Sequence, residues 1–190
     1  MRRQLVPALV VFLSLTVLVG VVYPLAVTAV ARIAFPSQSQ GSLIRRGGVI
    51  VGSRLIGQSF SERRYFQPRP SAAGAGYDGT ASGASNLGPS SPVLLAELRV
   101  RIAAYRRLND LAPGTAVPID AVTASGSGLD SEISPANARL QAPRVARTRA
   151  LPLMRVLNLI RESTHARSLG FLGEPGVNVL ELNLALDRAK

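Results

Sequence analysis

The residue types best suited to chemistry lie in one short run, Thr123-Ala124-Ser125-Gly126-Ser127-Gly128-Leu129-Asp130. Hydroxyls stand beside a carboxylate there, and His165 is the one imidazole that could activate Ser125 or Ser127, giving a membrane-anchored extracytoplasmic serine hydrolase as one reading. The nucleophile-elbow pattern is missing, because Ser125 rather than glycine precedes Ser127 by two residues. His165 itself lies in Ser-Thr-His-Ala-Arg, a polar stretch that reads as an exposed helix end. The glycines could let backbone amides form an anion-binding nest, although Gly/Ser loops are ordinarily turns. Asp120 and Asp130 could pair as acid and base, but nothing nearby resembles a substrate subsite, so structural capping is expected of both.

Composition narrows the chemistry further. The 190 residues hold no cysteine and one histidine, which excludes a disulfide framework, an iron-sulfur cluster and an ordinary zinc set. Lys190 is the sole lysine, so neither a Walker A lysine nor a Schiff-base lysine is available inside the fold. The formal charge of +11 comes almost wholly from arginine and invites anionic partners. The arginines are scattered, aromatics are 5%, and no basic run of five occurs, so nucleic acid is not the expected partner.

The N-terminal segment sets the class. From Gln4 to Ala31 the chain is uncharged and rich in Leu, Val and Ala, longer than the roughly 20 residues that cross a bilayer as a helix. Ala29-Val30-Ala31 has the small-x-small form of a signal-peptidase site, yet the apolar run exceeds a signal peptide's core and is read as a retained anchor. Arg2 and Arg3 place the N-terminus in the cytoplasm by the positive-inside tendency, with the remainder outside. Tyr23 and Arg32 suit the far interface. Thr16, Gly20, Pro24 and Thr28 recur every fourth residue, a stripe on which a partner helix could pack closely.

Residues 1–35 are thus read as cytoplasmic tail and transmembrane helix, 36–48 as a Ser/Gln/Gly-rich tether, and 49–190 as an extracytoplasmic domain. That domain is α+β, mixed and loop-rich. Val49-Ile50-Val51 suggests a strand, and residues 67–91, with five glycines and three prolines, form a loop too long to be an inert turn. Ser91-Pro92 opens a helix whose Leu94, Leu95, Leu98, Ile102 and Tyr105 share a face. Ser134-Pro135 opens a second that Pro143 should break, leaving Arg144, Arg147 and Arg149 on a solvated face. Pro152 starts a third, with Leu153, Val156, Leu157 and Ile160 inward. Leu180, Leu182, Leu184 and Leu186 alternate with polar or small residues, the period of a half-buried strand.

Several blocks in order resemble one family. Gly52-Ser53-Arg54-Leu55-Ile56-Gly57-Gln58, Tyr65-Phe66-Gln67-Pro68-Arg69-Pro70-Ser71-Ala72, Ser85-Asn86-Leu87-Gly88-Pro89, Val122 through Asp130, Gln141 with Arg144-Val145-Ala146, and Leu172-Gly173-Glu174-Pro175 are similar to blocks of KdpC, the C subunit of the bacterial Kdp potassium-transporting P-type ATPase. Departures are local: Ser82-Gly83-Ala84-Ser85-Asn86 stands for Ser-Gly-Gly-Ser-Asn, and Ser131-Glu132 for Pro-His. The resemblance implies a non-catalytic subunit in the bacterial inner membrane that helps assemble a KdpA-like channel subunit and a KdpB-like ATPase subunit. ATP and potassium would be handled by those partners, with no cofactor bound directly here. It also implies an effect on the ATP affinity of the KdpB-like subunit, linked to the nucleotide-signature-like Ser82–Asn86 segment. With an extracytoplasmic domain, a hydrocarbon core of roughly 30 Å would separate that segment from cytoplasmic ATP, so the effect would be allosteric. The family's motif loops correspond here to Ser82, Gly83, Ser85, Asn86, Ser125, Gly126, Ser127, Gly128 and Asp130.

Overall fold

In the computed structural model, which describes residues 2–189, the chain divides into two compact units, Met1–Val51 and Gly52–Lys190. The apolar run of the first unit satisfies its own backbone as one long helix. α1 (Arg2–Val17) passes through a π turn (Leu18–Val22) into α2 (Tyr23–Ala34). Pro24 explains the turn: with no amide, it cannot bond the Gly20 carbonyl, and the Tyr23 amide instead reaches five residues back to Leu18. Within this rod, Arg3–Ala34 is long and apolar enough to cross a membrane, and none of its apolar window is buried in the protein. Thr16 and Thr28 turn their hydroxyls back onto the Phe12 and Pro24 carbonyls, at 2.8 and 2.7 Å. The π turn falls between them, so the Thr16-Gly20-Pro24-Thr28 spacing does not follow a straight α-helical row.

Residues 36–48 are more ordered than their composition suggests. A short α3 (Pro36–Ser39) precedes β1 (Leu43–Arg46), which pairs with β2 (Val49–Ser53). Gly47 and Gly48 both take positive φ, 57° and 83°, as a two-residue hairpin turn requires.

The second unit contains α4 (Pro92–Leu108), β3 (Glu132–Ile133), α5 (Pro135–Arg149), α6 (Leu153–Glu162), β4 (Thr164–His165), β5 (Gly176–Asn178) and α7 (Val179–Arg188). The small sheet runs β3-β5-β4, antiparallel, with Ile133 and Thr164 flanking Val177. α5 packs on α6 and α6 on α7; Phe66, Ile133, Ala142, Val145, Val156, Ile160, Val177, Leu182 and Leu186 fill the core.

Four sequence expectations change. Residues 180–186 are helical, not a strand: the Asn178 carboxamide caps the Glu181 amide at 3.0 Å, and the buried residues Val179, Leu182, Asn183 and Leu186 follow a helical period beneath the alternation. Pro143 does not break α5, because one missing rung is outweighed by the burial of Ala138, Ala142, Val145 and Ala146 along the same helix. Leu153, the first residue of α6, is 43% exposed, and Leu159 is buried with Val156 and Ile160 instead. Leu95 is 44% exposed, while Leu94, Leu98, Ile102 and Tyr105 are half-buried as the shared face requires.

Candidate functional site

The structure brings the two motif loops together. The long loop 67–91 and the Thr123–Asp130 run clasp each other through backbone carbonyls and short side chains. Ser71 Oγ donates to the Gly128 carbonyl at 2.6 Å and accepts from the Tyr77 amide at 2.7 Å. Ser82 Oγ and the Gly83 amide both donate to the Ser127 carbonyl at 2.9 Å. Arg69 Nη1 lies 2.7 Å from Asp130 Oδ2, whose other oxygen accepts from the Glu132 amide at 3.0 Å. The Gly57 amide donates to the Leu129 carbonyl at 2.7 Å, tying an earlier motif block to the same clasp.

Gly128 is the pivot. Its φ of 69° lies in the left-handed region, and a Cβ there would sit 2.6 Å from the Ala73 nitrogen and 2.7 Å from the Gly83 carbonyl oxygen. Gly126, by contrast, has open space on its Cβ side. The motif's two glycines therefore have different reasons to be glycine, and only the second is set by contact.

Beside the clasp, a polar ladder runs along α5. Asn137, Gln141 and Arg144 fall at i, i+4 and i+7, so they share one face, and all three are buried. The ladder starts from Asp120, whose carboxylate accepts from the Ser134 amide (2.8 Å), the Ser134 hydroxyl (2.9 Å) and Asn137 Nδ2 (2.9 Å). Tyr105 donates its hydroxyl to Asn137 Oδ1 at 2.7 Å. Gln141 clamps the Gln67 backbone with Oε1 at 2.8 Å and Nε2 at 3.0 Å. Arg144 reaches Asn109 Oδ1 and Gln141 Oε1, each at 2.8 Å, together with the carbonyls of Arg63 and Tyr65. On α7, Asn183 clamps the Phe66 backbone in the same two-handed way, at 2.8 and 2.9 Å. Among the described residues no buried side-chain nitrogen or oxygen lacks a partner.

Electrostatics follow burial. Tyr77 and Tyr105 are pushed above the ordinary tyrosine range, first by desolvation and second by the carboxylates of Asp130 and Asp120 respectively. Burial, with Arg63 second, lowers Arg144 to about 10, which leaves it cationic at neutral pH. At the loop's surface, the Thr80 hydroxyl and amide hold Asp78 below the usual carboxylate range.

Arg144 is thus no part of a solvated basic face: it is 1% exposed, because the carbonyls of a loop with few partners of its own converge on it. Arg147 is exposed and paired with Asp110 at 2.6 Å, and Arg149 is largely enclosed against Asp187 at 2.9 Å. Ser125 and Ser127 face each other at 3.4 Å, and Ser127 Oγ accepts from the Leu129 amide. His165 meets Glu132 at 2.8 Å and Glu181 at 3.6 Å through its two ring nitrogens. The hydrolase reading requires His165 on a serine, and this arrangement does not provide it. Ser85 and Asn86 are exposed, with Asn86 at a φ of 53°. Both aspartates cap, as expected: Asp130 caps a turn through the Glu132 amide, and Asp120 caps the start of α5. The site reading from sequence passed over Asn137 and Asn183; the helical spacing of Asn137, Gln141 and Arg144 between small alanines was the available signal for the first.

The arrangement is built to fix backbone geometry. The hydroxyls of Ser71, Ser82 and Ser127, the carboxylates of Asp120 and Asp130 and the guanidiniums of Arg69 and Arg144 are engaged with one another and with main chain, and among the described residues no group of three potential metal ligands assembles.

Comparison with known proteins gives this scaffold its context. The family model described as KdpC, K+-transporting ATPase, c chain, matches residues 5–188. A potassium-transporting ATPase KdpC subunit of Mycobacterium tuberculosis is 57% identical over 188 residues, covering 99% of this chain and 100% of its own length. The corresponding subunits of Rhodospirillum rubrum and Caulobacter vibrioides are 56% and 57% identical, covering 98% of this chain and 96% and 94% of their own. A match spanning both the apolar helix and the clasped domain means that the chain belongs to the KdpC family, the accessory c chain of the K+-transporting ATPase of potassium uptake.

Proposed function

We propose that this chain acts as a non-catalytic assembly subunit, joining a KdpA-like channel subunit and a KdpB-like P-type ATPase subunit in a bacterial inner membrane. Its N-terminal helix crosses the bilayer with Arg2 and Arg3 cytoplasmic and docks on the channel subunit, with Thr16, Gly20, Pro24 and Thr28 at or near the contact. The domain lies outside, near the ion entrance. It binds neither ATP nor potassium; its partners handle both, and its influence on ATP affinity passes through the conformations of the complex. Such coupling requires that it hold two states of the pump with different affinity.

The observation that carries this reading is the clasp between loops 67–91 and 123–130. Ser71, Ser82, Arg69 and Asp130, in the blocks that match the family, turn their polar atoms onto each other and onto backbone, which is what a geometry-setting part needs. The engagement of Ser82 and Gly83 with the Ser127 carbonyl argues in the same direction for the nucleotide-signature-like segment.

The test is potassium uptake at low external potassium by cells whose subunit lacks residues 33–190. Abolished high-affinity uptake is expected; undiminished uptake by a pump carrying the helix alone would refute the assembly role of the domain. For the helix, Gly20→Leu should lower recovery of the channel subunit with this chain in detergent, and equal recovery would remove the stripe from the account.

A further inference from the structure

The first unit, Met1–Val51, carries charge of one sign only: it has no aspartate or glutamate, and the first acid in the chain is Glu62. Arg32 lies in the last turn of α2, and Arg45 and Arg46 precede the turn of the β1–β2 hairpin. Both hairpin arginines are exposed, and Val49 and Ile50 beyond the turn are 66% and 47% exposed. Side chains alternate along a strand, so Arg45 and Arg46 face opposite ways, as do Val49 and Ile50. Each face of the tip therefore joins a guanidinium to an aliphatic side chain. The backbone fixes where this tip stands. At Phe35, with φ −135° and ψ 61°, the chain leaves the helix axis and enters α3. The Ser39 amide then donates to the Phe35 carbonyl and the Ser42 amide to the Ser37 carbonyl, each at 2.9 Å, with Ser42 buried. β1 thus begins beside Ser37, which is at most about 11 Å of chain from Ala34. Arg3 and Arg32 are about 44 Å apart along the helix, close to the roughly 40–45 Å of a bilayer with its headgroups. With Arg3 at one headgroup layer, Arg32 reaches the other, and the hairpin is rooted there.

We infer that Arg32, Arg45 and Arg46 form a collar that seats the hairpin tip on anionic phospholipid headgroups, with Val49 and Ile50 dipping among them. This rests on the membrane-crossing reading of the helix above and adds the lipid class. Three observations favour lipid over protein as the occupant. The tip is continuous with a rod whose apolar window has no share buried in the protein. Its charge is wholly cationic, complementary to a phosphate surface, and a guanidinium grips phosphate oxygens two at a time while its stem lies along apolar surface. Arginines flanking the exported end of a span also run against the positive-inside tendency, a cost that attraction to headgroups offsets.

The experiment puts an environment-sensitive fluorophore on Val49→Cys in the full chain, which has no other cysteine, reconstituted in vesicles. In phosphatidylcholine mixed with phosphatidylglycerol the probe should shift to the blue and escape quenching by acrylamide; in phosphatidylcholine alone it should do neither. Each arginine near an anionic surface is worth about fivefold in partitioning, so Arg45→Gln/Arg46→Gln should move the equilibrium toward the free tip roughly thirtyfold. Added salt should act in the same direction. Equal spectra in the two lipids, or no response to the double substitution, overturns the collar. In the assembled transporter, shielding that persists in phosphatidylcholine alone identifies a protein covering and overturns it as well. A fluorophore on Val17→Cys separates the two readings: if it is open to the quencher, the membrane-crossing reading itself fails, whereas a shielded helix with a lipid-insensitive tip condemns only the collar.

Discussion

Replacing Gly128 by alanine tests the clasp at its tightest point. The new methyl would stand 2.6 and 2.7 Å from backbone atoms of Ala73 and Gly83, on the opposing loop, and 2.9 Å from the Ala73 Cβ. Neither contact is with the end of a flexible side chain, so relief requires the two loops to separate. A left-handed φ of 69° adds to the cost for any L-residue. Taking roughly 1 kcal/mol for the conformation and about 2 kcal/mol for overpacking, the loss is about 3 kcal/mol, or a fall of about 10 °C in melting temperature for a domain of this size. Gly126→Ala is the internal control. With nothing within 4 Å of its Cβ, it should leave the melting temperature unchanged or raise it slightly. Thermal unfolding of the full chain in detergent, followed by circular dichroism, separates the two. Equal shifts for both variants would refute the claim that contact across the clasp, rather than glycine content, fixes these loops.

Other expectations follow from the ladder. Arg144→Met strips the partner from Asn109 and from the Arg63 and Tyr65 carbonyls, and should cost about 4 kcal/mol; Arg144→Lys should recover little, since an ammonium cannot reproduce the planar fork, and a loss below about 1 kcal/mol in chemical denaturation would contradict the hub. Tyr77 and Tyr105 keep their protons longer folded than unfolded, so their contribution to stability is complete below the unfolded value near pH 10 and is lost as pH climbs beyond it. Arg144, lowered to about 10, acts in the opposite sense over that range, so the difference between wild type and the Tyr77→Phe/Tyr105→Phe variant isolates the tyrosines. Equal alkaline slopes for the two proteins would rule the tyrosines out. Asp120→Ala removes the acceptor of three hydrogen bonds and should destabilise by about 2 kcal/mol, read from the same denaturation curves.

What could be read from sequence depended on whether a signal was local. The apolar rod, the Ser91-Pro92 and Ser134-Pro135 helix starts and the capping by Asp130 were visible because each is written in neighbouring residues, whereas the partners of Asp120 lie 14 and 17 positions on. The seryl caps are indeed made, to the Leu94 and Asn137 amides. α7 misled because Leu180, Leu182, Leu184 and Leu186 satisfy a period of two while Val179, Leu182 and Leu186 satisfy a helix, and only the Asn178 cap decides between them. Pro143 misled because tertiary burial of its alanine neighbours outweighs one rung. Arg144 could not be placed at all from charge patterning, since the carbonyls that bury it come from residues about 80 positions away in the chain. The clasp has the same character: Ser82 and Ser127 sit in separate motifs, and the bond between them spans 45 residues.

The account turns on the domain lying outside the membrane, away from ATP, and the chain's lack of cysteine makes that directly measurable. A single cysteine introduced at Thr80, on the exposed rim of the long loop, can be challenged with a membrane-impermeant maleimide on sealed right-side-out vesicles. Full labelling before lysis is the predicted result; labelling that appears only once the vesicles are opened would put the domain on the nucleotide side and contradict the assignment of its role.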